Sequence, residues 1–333
     1  MAPSKWTLDA YALDLPLAER FTIARGSWDA VRNVFVTLEW DGVKGFGEVN
    51  PDDPDAVLDE IRSVHLDALA GPFDLEGLSE LLPAGAARCA LDIALHDVAA
   101  KLAGRSLGDL LGIGGRPCPP TSVTVPIEDI DRMVEKARQL SDHPVLKVKV
   151  GFEGDVDAVR AVRSVYQGAL RIDANEGWDA ATATDRLRAL ESCDIELCEQ
   201  PVPAPEIEEL GRISSSTSIP VFADEAVRTA RDVAELAGAV DGVNLKLRKA
   251  GGIRETVKAV ATARAHGLGV MLGCDLESGI AASAQAHLGP LVDYLDIDGP
   301  MLLRDDPFPG VTYSKGAVHR PEGPGLGLTR EPS

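Results

Sequence analysis

Cysteine is scarce, and the five present, Cys89, Cys118, Cys193, Cys198 and Cys274, form an odd set with no zinc-type spacing. That argues against a disulfide scaffold or zinc module and for a reducing compartment. Positive charge is also short: 33 Lys and Arg against 53 Asp and Glu leave a formal net charge of −20. Nucleic acid and anionic membrane both need a basic surface, so neither is expected as a partner. No apolar run reaches the about 18 residues that span a bilayer. The opening MAPSKWTLDA has no basic segment followed by an apolar one, so no signal peptide is read and a soluble cytoplasmic protein is expected. What the chain does have is length. Its 333 residues can bury a sizeable core, as two domains or one large barrel with additions.

The first part reads as strands followed by helices. Residues 33–40 (NVFVTLEW) are β-rich, and Asp41-Gly42 marks a hairpin before VKGFGEV. Near 86–104, Ala87, Ala90, Leu91, Ala94, Leu95 and Val98 share one helical face. His96 and Asp97 lie on that helix, where a structural role is the ordinary one. Gly and Pro crowd 112–120 (GIGGRPCPP), which reads as a domain boundary. Beyond it, β-rich runs alternate with amphipathic stretches. Each run ends near a polar residue: Thr124, Lys149, Asp173, Glu199, Asp224, Lys246, Cys274 and Asp296, at intervals of 22 to 28 residues. Eight such units specify a (β/α)8 barrel of the α/β class. The expected domains are an α+β capping domain (1–118), the barrel (119–300) and a segment (301–333) that returns to the cap.

The C-terminal strand ends of such a barrel meet in one mouth. Here Asp173, Glu199 and Asp224 follow one another on strands three, four and five. A single acid there reads as a rim ion pair. Three converging acids suit a hard divalent cation, Mg²⁺ above all, because no His or Cys accompanies them. Lys147 and Lys149 alternate in VLKVKV and share a face. Lys246 ends strand six, across the ring from strand two, so two ammonium groups are expected to face each other across a substrate. Crowding by metal and other cations is expected to lower the pKa of such a lysine toward that of a base. Lys147 by itself could merely balance the acids.

KVK (147–149), DANEGW (173–178), CEQP (198–201), ADE (223–225) and NLKLRKAGGI (244–253) together resemble the enolase superfamily, in its muconate-lactonizing-enzyme subgroup. The likeness runs over nearly the whole chain. It implies that Asp173, Glu199 and Asp224 hold Mg²⁺ and that Lys149 and Lys246 are an acid/base pair acting through an enediolate. It also implies that Lys147 steadies the substrate carboxylate and depresses the pKa of Lys149. Enzymes of this superfamily are a standard instance of a Lys or His base working with Mg²⁺.

Substrate identity rests on other residues. Asp296 and Asp298, in DIDGP, are two apart and share a strand face. The pair resembles the feature with which dipeptide epimerases hold a substrate ammonium; the alternative is a rim salt bridge with a neighbouring Arg. A mobile capping loop is expected at 17–32, where Arg25 resembles the residue that meets an anionic side chain in Ala-Glu epimerases. Phe21 and Ile23 are placed in the same pocket, with a solvated Arg25 as the alternative. Glu277, in GCDLES, matches an acid expected after strand seven. Asp275 stands where the resemblance calls for an apolar residue, and its acidity suits a cationic substrate side chain. Thr124 either touches substrate or packs in the barrel. The reading is a Mg²⁺-dependent dipeptide epimerase that inverts the C-terminal residue by two-base proton transfer, as a monomer or homo-oligomer. Its rivals are an N-acylamino acid racemase, an o-succinylbenzoate synthase, a muconate cycloisomerase, or a non-catalytic binding protein on the same fold. A mandelate-racemase type is disfavoured, since His266 and His287 are not placed to follow strand seven as a base.

Overall fold

The computed structural model describes residues 5–330 and 332. Three antiparallel strands, β1 (Trp6–Ile23), β2 (Gly26–Trp40) and β3 (Val43–Val49), form the first sheet in that order. Asp41 and Gly42 both take left-handed backbone angles, φ 50° and 82°, which gives the tight turn between β2 and β3. Val34, Phe35, Val36 and Leu38 are buried along β2. The sheet packs on the helix Ala86–Leu102, whose alanines allow a close approach. Gly45 and Gly47 are the sheet's side of that contact: a Cβ on Gly47 would lie 1.9 Å from the Ala90 carbonyl oxygen.

The same helix is buried on almost every face, because the barrel covers its other side. The Arg88 guanidinium donates to the carbonyls of Gly251 and Ala250 at 3.1 and 2.7 Å. Asp97 accepts from the amides of Phe46 and Leu326, at 3.0 and 2.8 Å, and so ties β3 and the C-terminal segment to this helix. His96 is fully buried against Asp92, its Nδ1 2.9 Å from that carboxylate, in a structural role.

Eight parallel strands follow: β4 (Val123–Val125), β5 (Val145–Lys149), β6 (Ala169–Asp173), β7 (Ile195–Glu199), β8 (Val221–Ala223), β9 (Gly242–Lys246), β10 (Gly269–Gly273) and β11 (Tyr294–Asp296). They pair in chain order. A parallel bridge from Thr121 to Leu295, with the Ser122 amide 3.0 Å from the Leu295 carbonyl, joins β4 to β11 and closes the barrel. The α/β class and the (β/α)8 barrel beneath an α+β cap are thus present. Register then fixes chemistry. Lys149, Asp173 and Glu199 are direct neighbours on β5, β6 and β7, and Lys246, Gly273 and Asp296 are neighbours on β9, β10 and β11.

One expectation is corrected. Residues 17–32 are not a loop but the distal half of the β1–β2 hairpin, with Phe21 opposite Trp28, Thr22 opposite Ser27 and Ile23 opposite Gly26. A register shift between Pro16 and Phe21 re-aims the arm over the barrel mouth. The Ile127 amide donates to the Thr22 carbonyl at 2.9 Å and pins the arm to the loop after β4.

The helix–sheet contact has no room for a side chain at residue 47. Gly47→Val should destabilise the fold by about 3 kcal/mol through overpacking, read as a fall in thermal or urea midpoint. An unchanged midpoint would contradict the packing described.

Candidate active site

The barrel mouth and the hairpin arm enclose a cavity of about 430 Å³. Phe21, Ile23, Arg25 and Trp28 line it from the hairpin, and Lys147, Lys149, Lys246, Arg248, Asp275, Asp296 and Asp298 from the barrel. Asp173, Glu199 and Asp224 lie just beneath, each almost fully buried.

Lys147 is the hub of the floor. Its ammonium lies 2.6 Å from Asp296, 2.7 Å from Glu199 and 3.0 Å from Asp173. Lys149 donates to Asp173 at 2.6 Å and to the Asn175 side-chain oxygen at 3.1 Å. Lys246, on the far arc, is 3.1 Å from Asp224 and 3.7 Å from Asp275. The two lysines assigned as bases therefore line one cavity from opposite sides, each resting on a different carboxylate.

Three partners escaped the sequence reading. Lys249 donates to the carboxylate and carbonyl of Asp224. Asn244 donates to Glu199 at 2.6 Å, and the Gln200 side-chain oxygen accepts from the Asp224 amide at 2.9 Å. Asn244 was detectable, since it precedes Lys246 by two and shares its strand face. Lys249 lies within a short helical turn (Leu247–Ala250) that strand periodicity does not register.

Of the paired acids, Asp296 ends β11 while Asp298 lies beyond it, at the start of the turn Gly299–Leu302. Asp296 is engaged by Lys147 and by the Ser122 hydroxyl at 2.5 Å. Asp298 accepts the Thr124 backbone amide at 2.8 Å through one oxygen, and its other oxygen faces the Cys274 thiol at 3.9 Å. Thr124 thus contributes its amide to this carboxylate, and its buried side chain lines the cavity. Burial, and then the charge of Asp296, push Asp298 up to about 6.

Asp275 already has a cation. The Arg248 Nε donates to it at 2.8 Å, and Arg248 also reaches Asp52 of the cap at 3.3 Å. The acidity that seemed suited to a cationic substrate side chain is neutralised within the protein. Glu277 faces away from the cavity: it accepts from Gln285 at 2.9 Å, and burial and Asp275 push it up to about 8. Arg25 bridges Glu176 and Glu225 at 2.8 and 2.6 Å.

The expected lowering of a lysine pKa is reversed for Lys246. Burial alone would lower it, but attraction to Asp224, then Asp275, Glu199 and Glu225, holds it well above the ordinary value. Asp173 is held below its usual range, since Lys147 and Lys149 outweigh its burial. Asp224 is held well below it, with Lys246 and Lys249 outweighing burial in the same way. Glu199 goes the other way, up to about 8, through burial and then repulsion from Asp173.

Among the described residues, no three acidic, His or Cys side chains meet at ligand distance around one point. Lysine ammonium groups stand between the acids instead. The donor set nonetheless fits a hard divalent cation. It is all oxygen, and the buried Glu199 Oε2 and Asp224 Oδ2 already face a positive charge, the ammonium of Lys147 at 2.7 Å and of Lys246 at 3.1 Å. Glu199 in particular is short of positive charge.

That shortage has a pH signature. An acid held protonated in the fold stabilises fully below its unfolded pKa, and the benefit is lost as pH rises through the folded value. For Glu199 the window runs from 4.5 to about 8. Metal-stripped protein should melt progressively lower from about pH 5 to about pH 8, and Glu199→Gln should flatten that fall. An unchanged slope in the variant would contradict the assignment. Asp173 and Asp224 act oppositely, their stabilisation being lost only as pH falls below 3.8.

Comparison with known proteins gives this site a context. Residues 9–112 match the family described as mandelate racemase / muconate lactonizing enzyme, N-terminal domain. Residues 130–332 match enolase C-terminal domain-like proteins. An L-Ala-D/L-Glu epimerase of Bacteroides thetaiotaomicron is 34% identical, over 98% of this chain and 88% of that protein. The dipeptide epimerase of Enterococcus faecalis, solved with Mg and L-Leu-L-Tyr, superposes with a TM-score of 0.92 at 31% identity, covering 97% of this chain and 99% of that one. The N-succinyl Arg/Lys racemase of Bacillus cereus superposes equally well, with a TM-score of 0.92 at 30% identity, covering 98% and 96%. With its capping sheet, its closed eight-stranded barrel and its acids and lysines at the strand ends, this chain belongs to the mandelate racemase/muconate lactonizing enzyme family of the enolase superfamily.

Proposed function

We propose that the chain is a Mg²⁺-dependent epimerase that inverts the α-carbon of the C-terminal residue of a free dipeptide. The observation that carries this reading is the placement of Lys149 and Lys246 on opposite walls of one cavity, with Asp298 at its rim offering an oxygen that no cation among the described residues engages.

Removing a proton α to a carboxylate puts a second negative charge on that carboxylate. Lys147, beneath the cavity, is a fixed cation placed to oppose it. Lys149 on one face takes or returns the proton, and Lys246 does so on the other, so the carbon inverts when the two act in sequence. Asp173, Glu199 and Asp224 would hold Mg²⁺, which when bound polarises the substrate carboxylate and draws negative charge away from the lysines. Asp298, with Asp296 behind it, receives the substrate ammonium. A dipeptide supplies that ammonium only with a free N-terminus, whereas an N-acylamino acid does not.

The test follows α-deuterium uptake by mass in D₂O with Mg²⁺, using one L,L-dipeptide and its N-acetyl form. Wild type should turn over the free dipeptide better in kcat/KM by about tenfold to a hundredfold, the cost of leaving a desolvated carboxylate unpaired. Asp298→Asn should shrink that preference, and Lys149→Ala and Lys246→Ala should each stop net epimerisation. Equal or better turnover of the N-acetyl compound would replace this reading with N-acylamino acid racemisation.

A further inference from the structure

Arg25 sits at the tip of the hairpin arm, between β1 and β2, and among the described residues its ion pairs are with the barrel. Its two terminal nitrogens are both taken, one by Glu176 at 2.8 Å and the other by Glu225 at 2.6 Å. An anionic substrate side chain would have to share the guanidinium with both of these carboxylates. The guanidinium is therefore already committed to the barrel.

The barrel side of this contact is built for it. Ala24 seats on Gly151 and Gly177, where an added Cβ would stand 2.9 and 3.0 Å from the Ala24 methyl. Asn175 and Glu176 both hold left-handed backbone angles, φ 43° and 66°. Such angles are uncommon for a residue like Glu and persist where the surroundings enforce them. Their effect is to send two neighbouring side chains to different tasks. Glu176 meets Arg25, while Asn175 turns into the mouth.

From Asn175 the contacts continue. Its amide nitrogen donates to Glu225 Oε1 at 3.3 Å, the oxygen that also receives Arg25. Its amide oxygen accepts from Lys149 at 3.1 Å. Asn175 and Lys149 are both buried, so little water competes for these bonds. We propose that Arg25 is a positioning residue: the closed hairpin arm orients Lys149, and not Lys246, through Glu225 and Asn175. Among the described residues Lys246 makes no hydrogen bond or ion pair to any of the three; its ion-pair partners are Asp224 and Asp275, and Glu225 acts on it only by attraction at longer range. A misplaced base slows proton transfer steeply, so the state of the arm is felt on one face of the substrate only. This inference rests on the two-base reading above.

The experiment measures initial α-deuterium exchange of an L,L-dipeptide and of its L,D epimer, both with apolar side chains, in Mg²⁺-loaded enzyme. Lys149→Ala and Lys246→Ala assign each exchange arm to its lysine. Arg25→Ala and Asn175→Gly, the latter keeping the left-handed backbone, should each slow the Lys149 arm by about tenfold or more and leave the Lys246 arm within about twofold. Arg25→Lys should restore part of the loss. An equal fall in both arms would reduce Arg25 to a structural contact and overturn the proposal. So would an unchanged rate on these apolar dipeptides with a loss on a dipeptide ending in Asp or Glu, measured in parallel, which would make Arg25 a reader of the side chain. If wild type exchanges no dipeptide, the two-base dipeptide reading itself fails and the relay with it.

Discussion

Asp173, Glu199 and Asp224 are buried at the ends of three adjacent strands of one barrel, and the local structure around them is arranged to make that tolerable. Burying an ionised carboxylate is expensive unless a partner charge or hydrogen bonds accompany it. Four lysines converge on the three acids: Lys147 on Asp173 and Glu199, Lys149 on Asp173, and Lys246 and Lys249 on Asp224. The balance is incomplete at Glu199, whose carboxyl is pushed up to about 8. A floor that is neutralised on both flanks and under-neutralised in the middle is poised to take one more cation.

The cap depends on the same floor from above. Glu48 of β3 is fully buried and accepts from the Ser278 amide and hydroxyl, the Ala281 amide and Asn33, at 2.6 to 3.1 Å. It thereby caps the helix Gly279–Leu288 from another domain and fixes the loop that carries Cys274 and Asp275. Arg248 joins that loop to Asp52, and the hairpin arm covers the opposite side. The result is a cavity whose polar half comes from barrel strand ends and whose apolar half, Phe21, Ile23 and Trp28, comes from the cap.

Much of this was legible in the residues. Strand recurrence every 22 to 28 positions exposes the barrel because each parallel strand needs a return helix of similar length. The acids and lysines were legible because the strand ends hold them, and β6, β7 and β9 do end on Asp173, Glu199 and Lys246. What escaped depends on contacts between distant segments. The Arg248–Asp275 pair joins the ends of β9 and β10, so Asp275 read by itself looked like a free negative site. The arm at 17–32 was expected as a loop from the family resemblance, whereas the pairing of residues 21–23 with 26–28 across the register shift after Pro16 makes it a hairpin end. The pKa of Lys246 was misjudged because the direct neighbours are acids of the chain itself.

The central proposal is that the acids at the ends of β6, β7 and β8 form a site for one divalent cation, with Glu199 surrendering its proton on binding. Calorimetric titration of metal-stripped protein with Mg²⁺ at pH 7, repeated in buffers of different ionisation enthalpy, measures affinity and proton release together. The account predicts one Mg²⁺ per chain, a net release of protons, and loss of both in Glu199→Gln. Absence of binding, or binding with unchanged affinity and proton release in that variant, would contradict it.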